Sequence, residues 1–256
     1  MLIVDVVKLS VGLTFLMWAS YHDLKAREVP NTVWSVFLPT AAGLTVFESY
    51  TLGSPTEINL LKLASAGASI GLFVAISYLG FYGGADSKAL TGLALLFPLP
   101  PASLNPPLGY VIIVFPLVIF FNSLLISLAA IPYVVFSNLR WRHKTSIGLF
   151  DGYRKESLLR KAAAIALCKK IRSVEVKPYD MLAEEPHSDS CDSQRKLVLF
   201  RRVDESYQLP RAEEIPQYVF VSAALPMLVF ITLGFLTSLI FGDILFWLIT
   251  LLARVI

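Results

Sequence analysis

Five apolar runs constrain this chain more than any other feature. A transmembrane helix needs about 20 apolar residues to cross roughly 30 Å of hydrocarbon. Runs of that order occupy residues 2–21, 32–50, 61–81, 108–136 and 217–241, with a shorter one at 87–99. Inside a bilayer only helices and closed barrels satisfy their own backbone groups, so the pattern predicts an all-α polytopic membrane protein of about six transmembrane helices. Composition points the same way. Of the 256 residues 55% are hydrophobic and 16% charged, too apolar for an ordinary soluble domain.

Charge then orients the helices. The loop 22–31 carries Lys25 and Arg27, the loop 82–88 carries Lys88, and sixteen of the twenty-two Lys and Arg residues lie between Arg140 and Arg211. Loops 52–60 and 100–107 hold neither. By the positive-inside rule the first, third and fifth loops face the cytoplasm and the N-terminus lies outside. The basic residues therefore report sidedness, and no nucleic-acid partner is expected. The first run could be mistaken for a signal peptide ending near Ala19 and Ser20. It has no basic leading segment, which favours a retained first span.

Three regions follow: residues 1–136 with five spans, an insert at 137–216, and a last span with an apolar tail at 217–256. The insert reads as a small cytosolic α+β unit, with a helical pattern in ESLLRKAAAIALCKKI and a strand pattern in KLVLFRRV. The segment EEPHSDSCDSQ between them reads as a loop. Beyond Gly242 and Asp243 the apolar tail either continues the last helix past a kink or lies along the interface.

Two acids stand where acids are costly. Asp86 follows Gly83, Gly84 and Ala85 and precedes the short run, so a straight helix from Asp86 to Leu99 spans about 21 Å, less than the hydrocarbon thickness. A carboxyl below the surface faces the bundle interior or a wet cavity and suggests function. The partner on the same membrane face is Asp23, at the end of the first span in SYHDLKAREVPN. Two carboxyls on neighbouring helices can divide proton work, one ionised and activating water, the other protonated and donating to a scissile carbonyl. No metal, cofactor or nucleophilic side chain is then needed, and which acid is the base stays open.

Around them, Gly83 and Gly84 promise unusual backbone freedom, Lys88 a local cation, and Pro30 with Asn31 a fixed entry into the second span. Each acid also has a plainer reading. Asp86 can be the N-cap of its helix, and Asp23 with Lys25, Arg27 and Glu28 a solvated loop. The two cysteines, Cys168 and Cys191, form no paired motif. The three histidines, His22, His143 and His187, contain no metalloprotease spacing. Asn122 and Ser123 read as polar links between helices, Asp243 as a cap or interfacial acid, and the tryptophans as belt or packing residues.

The pair of motifs resembles the archaeal preflagellin/prepilin peptidases, GxGD-type intramembrane aspartyl proteases related to the bacterial type IV prepilin peptidases. It rests on Asp23 to Asn31 after the first span, on Gly83 to Lys88 opening a later one, and on the layout with an insert before the last span. Ala85 stands where the strict pattern has glycine. The resemblance implies Asp23 and Asp86 as the catalytic pair. It also implies precursors with class III, type IV pilin-like signal peptides as partners, cut on the cytoplasmic side of a multi-pass membrane protein. The bacterial paired-cysteine motifs are missing, which implies cleavage without N-methylation. Glu28, with Lys25 and Arg27 beside it, is a candidate contact for the basic leader. A proton- or ion-coupled transporter using the same acids, or a scaffold using the basic insert, are the rival readings.

Overall fold

In the computed structural model, residues 2–145, 147–153, 155–177, 180–184, 195–199, 216–222 and 225–254 are described. The chain is mostly helical and divides into two units, residues 1–127 with 226–256, and residues 128–225.

The first unit is a helical bundle: α1 (Leu2–Ala26), α2 (Asn31–Thr51), α3 (Thr56–Tyr78), α4 (Gly84–Leu96), α5 (Phe115–Ser127), α8 (Met227–Ile240) and α9 (Ile244–Ala253). The shortest of its early helices, α4, packs against α1, α2, α3, α5 and α8. Its Ala89, Leu90, Leu93, Ala94 and Leu96 are all buried. Small residues let the helices approach closely, the usual device where lipid gives no hydrophobic drive to association. At Gly92 of α4 a Cβ would lie 2.2 Å from the Phe37 ring of α2, and at Gly234 of α8 one would lie 2.7 Å from the Ser123 backbone nitrogen of α5. Polar links add to this. Asn122 donates to Ser238 Oγ at 2.8 Å and to the Gly242 carbonyl at 2.9 Å, and the Ser20 and Thr232 hydroxyls meet at 2.8 Å.

Three charges within the apolar runs, one buried and two partly buried, were not singled out from sequence. Glu48 of α2 receives Lys8 of α1 at 2.5 Å and Lys62 of α3 at 2.9 Å, so one carboxylate ties three helices. Lys8 is 3% exposed. Charges this deep persist only when paired.

Three stretches are long and apolar enough to cross a bilayer: Ile3–Ala26, Thr56–Tyr78, and Phe115–Thr145, which carries α5 and α6 (Ala130–Thr145). The pair α8 and α9, bent by 68°, makes a fourth if it counts as one span. The protein is a membrane protein. The tail leaves α8 through a sharp turn: Gly242 adopts φ 91°, which a side chain rarely tolerates, and Asp243 caps α9 by accepting from the Phe246 N–H at 3.2 Å.

The second unit holds α6, α7 (Leu158–Leu167), β1 (Cys168–Arg172) and β2 (Tyr218–Ser222), the strands pairing antiparallel with Lys170 opposite Phe220. Two expectations shift here. The helical pattern through Ile171 ends at Leu167 and its last residues form β1. The apolar run 217–241 begins as β2, and its helix starts only at Met227. Tyr218, Val219, Phe220 and Val221 favour a pleated, half-buried surface, and an apolar run alone cannot separate a buried strand from a helix. Of the strand pattern 196–203, Leu197 bridges to Glu184. Residues 200–203, and most of the segment 184–194 with His187 and Cys191, lie outside the described residues.

Asn138, fully buried, ties α6 to α7 and β1. It donates to the carbonyls of Ile165 at 3.0 Å and Cys168 at 2.7 Å and accepts from the Lys170 N–H at 2.9 Å. The Lys170 ammonium donates to the Leu149 carbonyl and sits 5.0–5.4 Å from the rings of Phe220, Trp141 and Tyr153. Burial is the main reason its amine titrates at about 8, well below the usual lysine range, against an opposing pull from Glu184. Burial likewise pushes the Cys168 thiol up to about 11.

Candidate functional site

Asp23 lies in the last turn of α1 with its side chain 14% exposed. Arg27, one turn on, approaches its Oδ1 at 3.9 Å. Arg27 also closes the helix: it adopts φ 57°, and its N–H donates to the Asp23 carbonyl at 3.1 Å. The backbone N–H of Leu228, in the first turn of α8, interacts with the Asp23 carboxylate. Since Pro226 precedes α8 and supplies no side-chain cap, an acid from the other end of the chain serves the positive end of that helix. The second oxygen, Oδ2, is buried with no hydrogen-bond partner among the described residues.

Asp86 is not the N-cap of α4. The helix opens at Gly84 with Gly83 as cap, and Asp86 occupies the third helical position, half-buried. Its carboxylate turns back toward the Gly83 N–H, the reach that a third-position acid makes in a capping box. This gives Gly83 a steric reason, since a Cβ there would lie 3.0 Å from Asp86 Oδ2, whereas one at Gly84 would meet nothing within 4 Å. Neither glycine has a positive φ. Gly80 does, at 80°. The conformational freedom expected of Gly83 and Gly84 is thus used three residues earlier, and sequence reasoning passed over that glycine because it lies outside the motif.

The two acids converge: Asp86 lies close enough to Asp23 for their charges to repel. A second link joins the two motifs. Lys88 Nζ donates to Asn31 Oδ1 at 2.8 Å, and Pro30, with φ −55° and ψ 136°, sets Asn31 as the first residue of α2. Ala85 packs against the core of the bundle. Lys25 and Glu28 are exposed, Lys25 with its ammonium 5.9 Å from the Tyr21 ring. His22 contacts the Trp18 and Tyr21 rings. Among the described residues no group of three or more His, Cys, Asp or Glu is placed to hold a metal ion. Two acids 63 positions apart in sequence thus stand within electrostatic range of each other, and one oxygen of Asp23 is buried without a hydrogen-bond partner among the described residues.

Residues 10–131, which contain both acids, match the model of the type IV leader peptidase family, and residues 163–244 match that of the archaeal peptidase A24 C-terminus, type II. The chain belongs to this peptidase family. It is similar along most of its length to two proteins named preflagellin peptidase. The one from Methanococcus voltae is 28% identical over 242 residues, 91% of this chain and 94% of the relative. The one from Methanocaldococcus jannaschii is 26% identical over 246 residues, 91% and 93% of the two chains. This member of the family is therefore a protease, and the transporter reading has no support.

Proposed function

We propose that this peptidase removes leader peptides from preflagellin and related type IV pilin-like precursors, with Asp23 and Asp86 as the catalytic pair. The observation that carries the reading is the convergence of the two carboxyls from α1 and α4. One, ionised, takes a proton from water as the water oxygen bonds to the scissile carbonyl carbon. The other, protonated, donates to the carbonyl oxygen, and collapse of the tetrahedral adduct expels the amine with a proton. The names of the two relatives support preflagellin as the substrate class.

In this reading the chain crosses the membrane six times and the pair works at the cytoplasmic face. Beyond the three long stretches, α2 with its internal Pro39, the short α4 and the bent pair α8 and α9 supply the rest. The basic region 137–216 supports a cytoplasmic insert under the positive-inside rule. A precursor helix lying in the bilayer then presents its basic leader beside exposed Glu28, with Lys25 and Arg27 on the same segment. The test is mass spectrometry of a preflagellin co-expressed with wild type, Asp23→Asn or Asp86→Asn. Processed product with wild type alone supports the pair, and normal trimming by either variant refutes it.

A further inference from the structure

Tyr82 precedes the Gly83 cap and is absorbed by neither motif. Its ring packs on Phe120 of α5 at 5.7 Å, and Phe120 packs in turn on Phe73 of α3 at 5.6 Å. The ring is thus packed on α5 and against the core of the bundle. Its hydroxyl is buried, has no hydrogen-bond partner among the described residues, and lies within electrostatic reach of the Asp86 carboxyl. A tyrosine that is buried normally finds a partner for its hydroxyl, and an unpaired buried donor costs about 1–3 kcal/mol. Such a group beside a reactive acid calls for a partner that arrives with the substrate.

We propose that the Tyr82 hydroxyl is a catalytic hydrogen-bond donor to the scissile carbonyl oxygen, a second donor beside the protonated acid. It rests on the Asp23 and Asp86 reading. As the water oxygen bonds to the carbonyl carbon, the carbonyl π pair moves onto oxygen. The Tyr82 O–H donates to that oxygen without surrendering its proton, and the bond weakens again when the carbonyl re-forms and the amine leaves. A fixed donor aimed at the developing charge strengthens in the transition state and acts on turnover more than on binding.

The experiment uses the purified full-length enzyme in detergent and a preflagellin that wild type processes. Tyr82→Phe keeps the ring against Phe120 and loses only the oxygen, so kcat should fall about 10- to 100-fold with KM within about twofold. Replacing Tyr82 with 3-fluorotyrosine makes the phenol more acidic, and so a stronger donor, at nearly the same size. Fluorotyrosine should then keep or raise kcat where Tyr82→Phe loses it, a split between the two that a purely structural ring would not give. Unchanged kcat in Tyr82→Phe, or a loss with fluorotyrosine as large as with Phe, overturns the proposal. Asp23→Asn and Asp86→Asn run beside it: if both are inactive while Tyr82→Phe is normal, only the tyrosine role fails, whereas activity in either Asn variant removes the acid pair beneath it.

Discussion

Lys88 Nζ donates to Asn31 Oδ1 across 2.8 Å and 57 positions of sequence. The bond ties the start of α4, which carries Asp86, to the start of α2, which follows the segment carrying Asp23. Each partner should therefore act on the site through the other. Asn31→Ala and Lys88→Met are each expected to lower kcat/KM about tenfold, and the double variant to be little worse than either. Multiplying losses in that cycle would mean that the two side chains act separately.

The paired glycines should differ. Gly83→Ala places a Cβ 3.0 Å from Asp86 Oδ2 and displaces the carboxylate, so cleavage should fall about tenfold or more, in line with the cost of misplacing a reacting group. Gly84→Ala meets nothing and enters the first turn of a helix, where alanine is the better former by up to about 1 kcal/mol. It should keep full activity with unchanged or raised thermal stability, as activity assays and melting in detergent would record.

Asp23 has two roles that substitution can separate. Asn retains an oxygen able to accept from the Leu228 N–H, whereas Leu does not. Both should abolish cleavage. Only Asp23→Leu should also raise the hydrogen exchange of the Leu228 to Phe230 amides, since α8 then loses the acid at its positive end.

Glu48→Gln leaves Lys8 and Lys62 in the bundle without their carboxylate. Stranding a buried charge costs about 3–5 kcal/mol, so the variant should melt well below wild type in detergent. Changing Lys8 and Lys62 to Met at the same time should recover much of the loss.

In the second unit, Lys170 titrates at about 8 when folded and in the usual lysine range near 10.5 when unfolded. Above pH 8 the unfolded chain holds the proton that the folded one has released, so stability rises with pH, by about 1 kcal/mol between pH 8 and 9. Cys168 opposes it. Its folded thiol keeps its proton to about 11 while the unfolded thiol loses it near 9, so this contribution declines as pH rises through that window, and the raised Tyr153 adds to the decline. Hydrogen-exchange protection of β1 and β2, normalised to intrinsic rates, should therefore peak near pH 9. Lys170→Met should remove the rise below it.

The sequence by itself determined the membrane class, because apolar runs and the clustering of basic residues are one-dimensional quantities that a bilayer reads directly. It also marked Asp86, since a carboxyl beside a short apolar run is costly wherever the chain folds, and Asp23 as the acid on the same membrane face. Tertiary structure alone decided the rest. Residues 218–222 became a strand because Cys168–Arg172 offered a partner edge, which no local pattern encodes. Gly83 matters because the Asp86 side chain returns to it, Lys8 and Lys62 are tolerated because Glu48 meets both, and the Asp23 carboxylate meets the start of a helix about 200 residues away. Each of these is a pairing between remote positions, and the free energy of a buried polar group depends on the partner it finds.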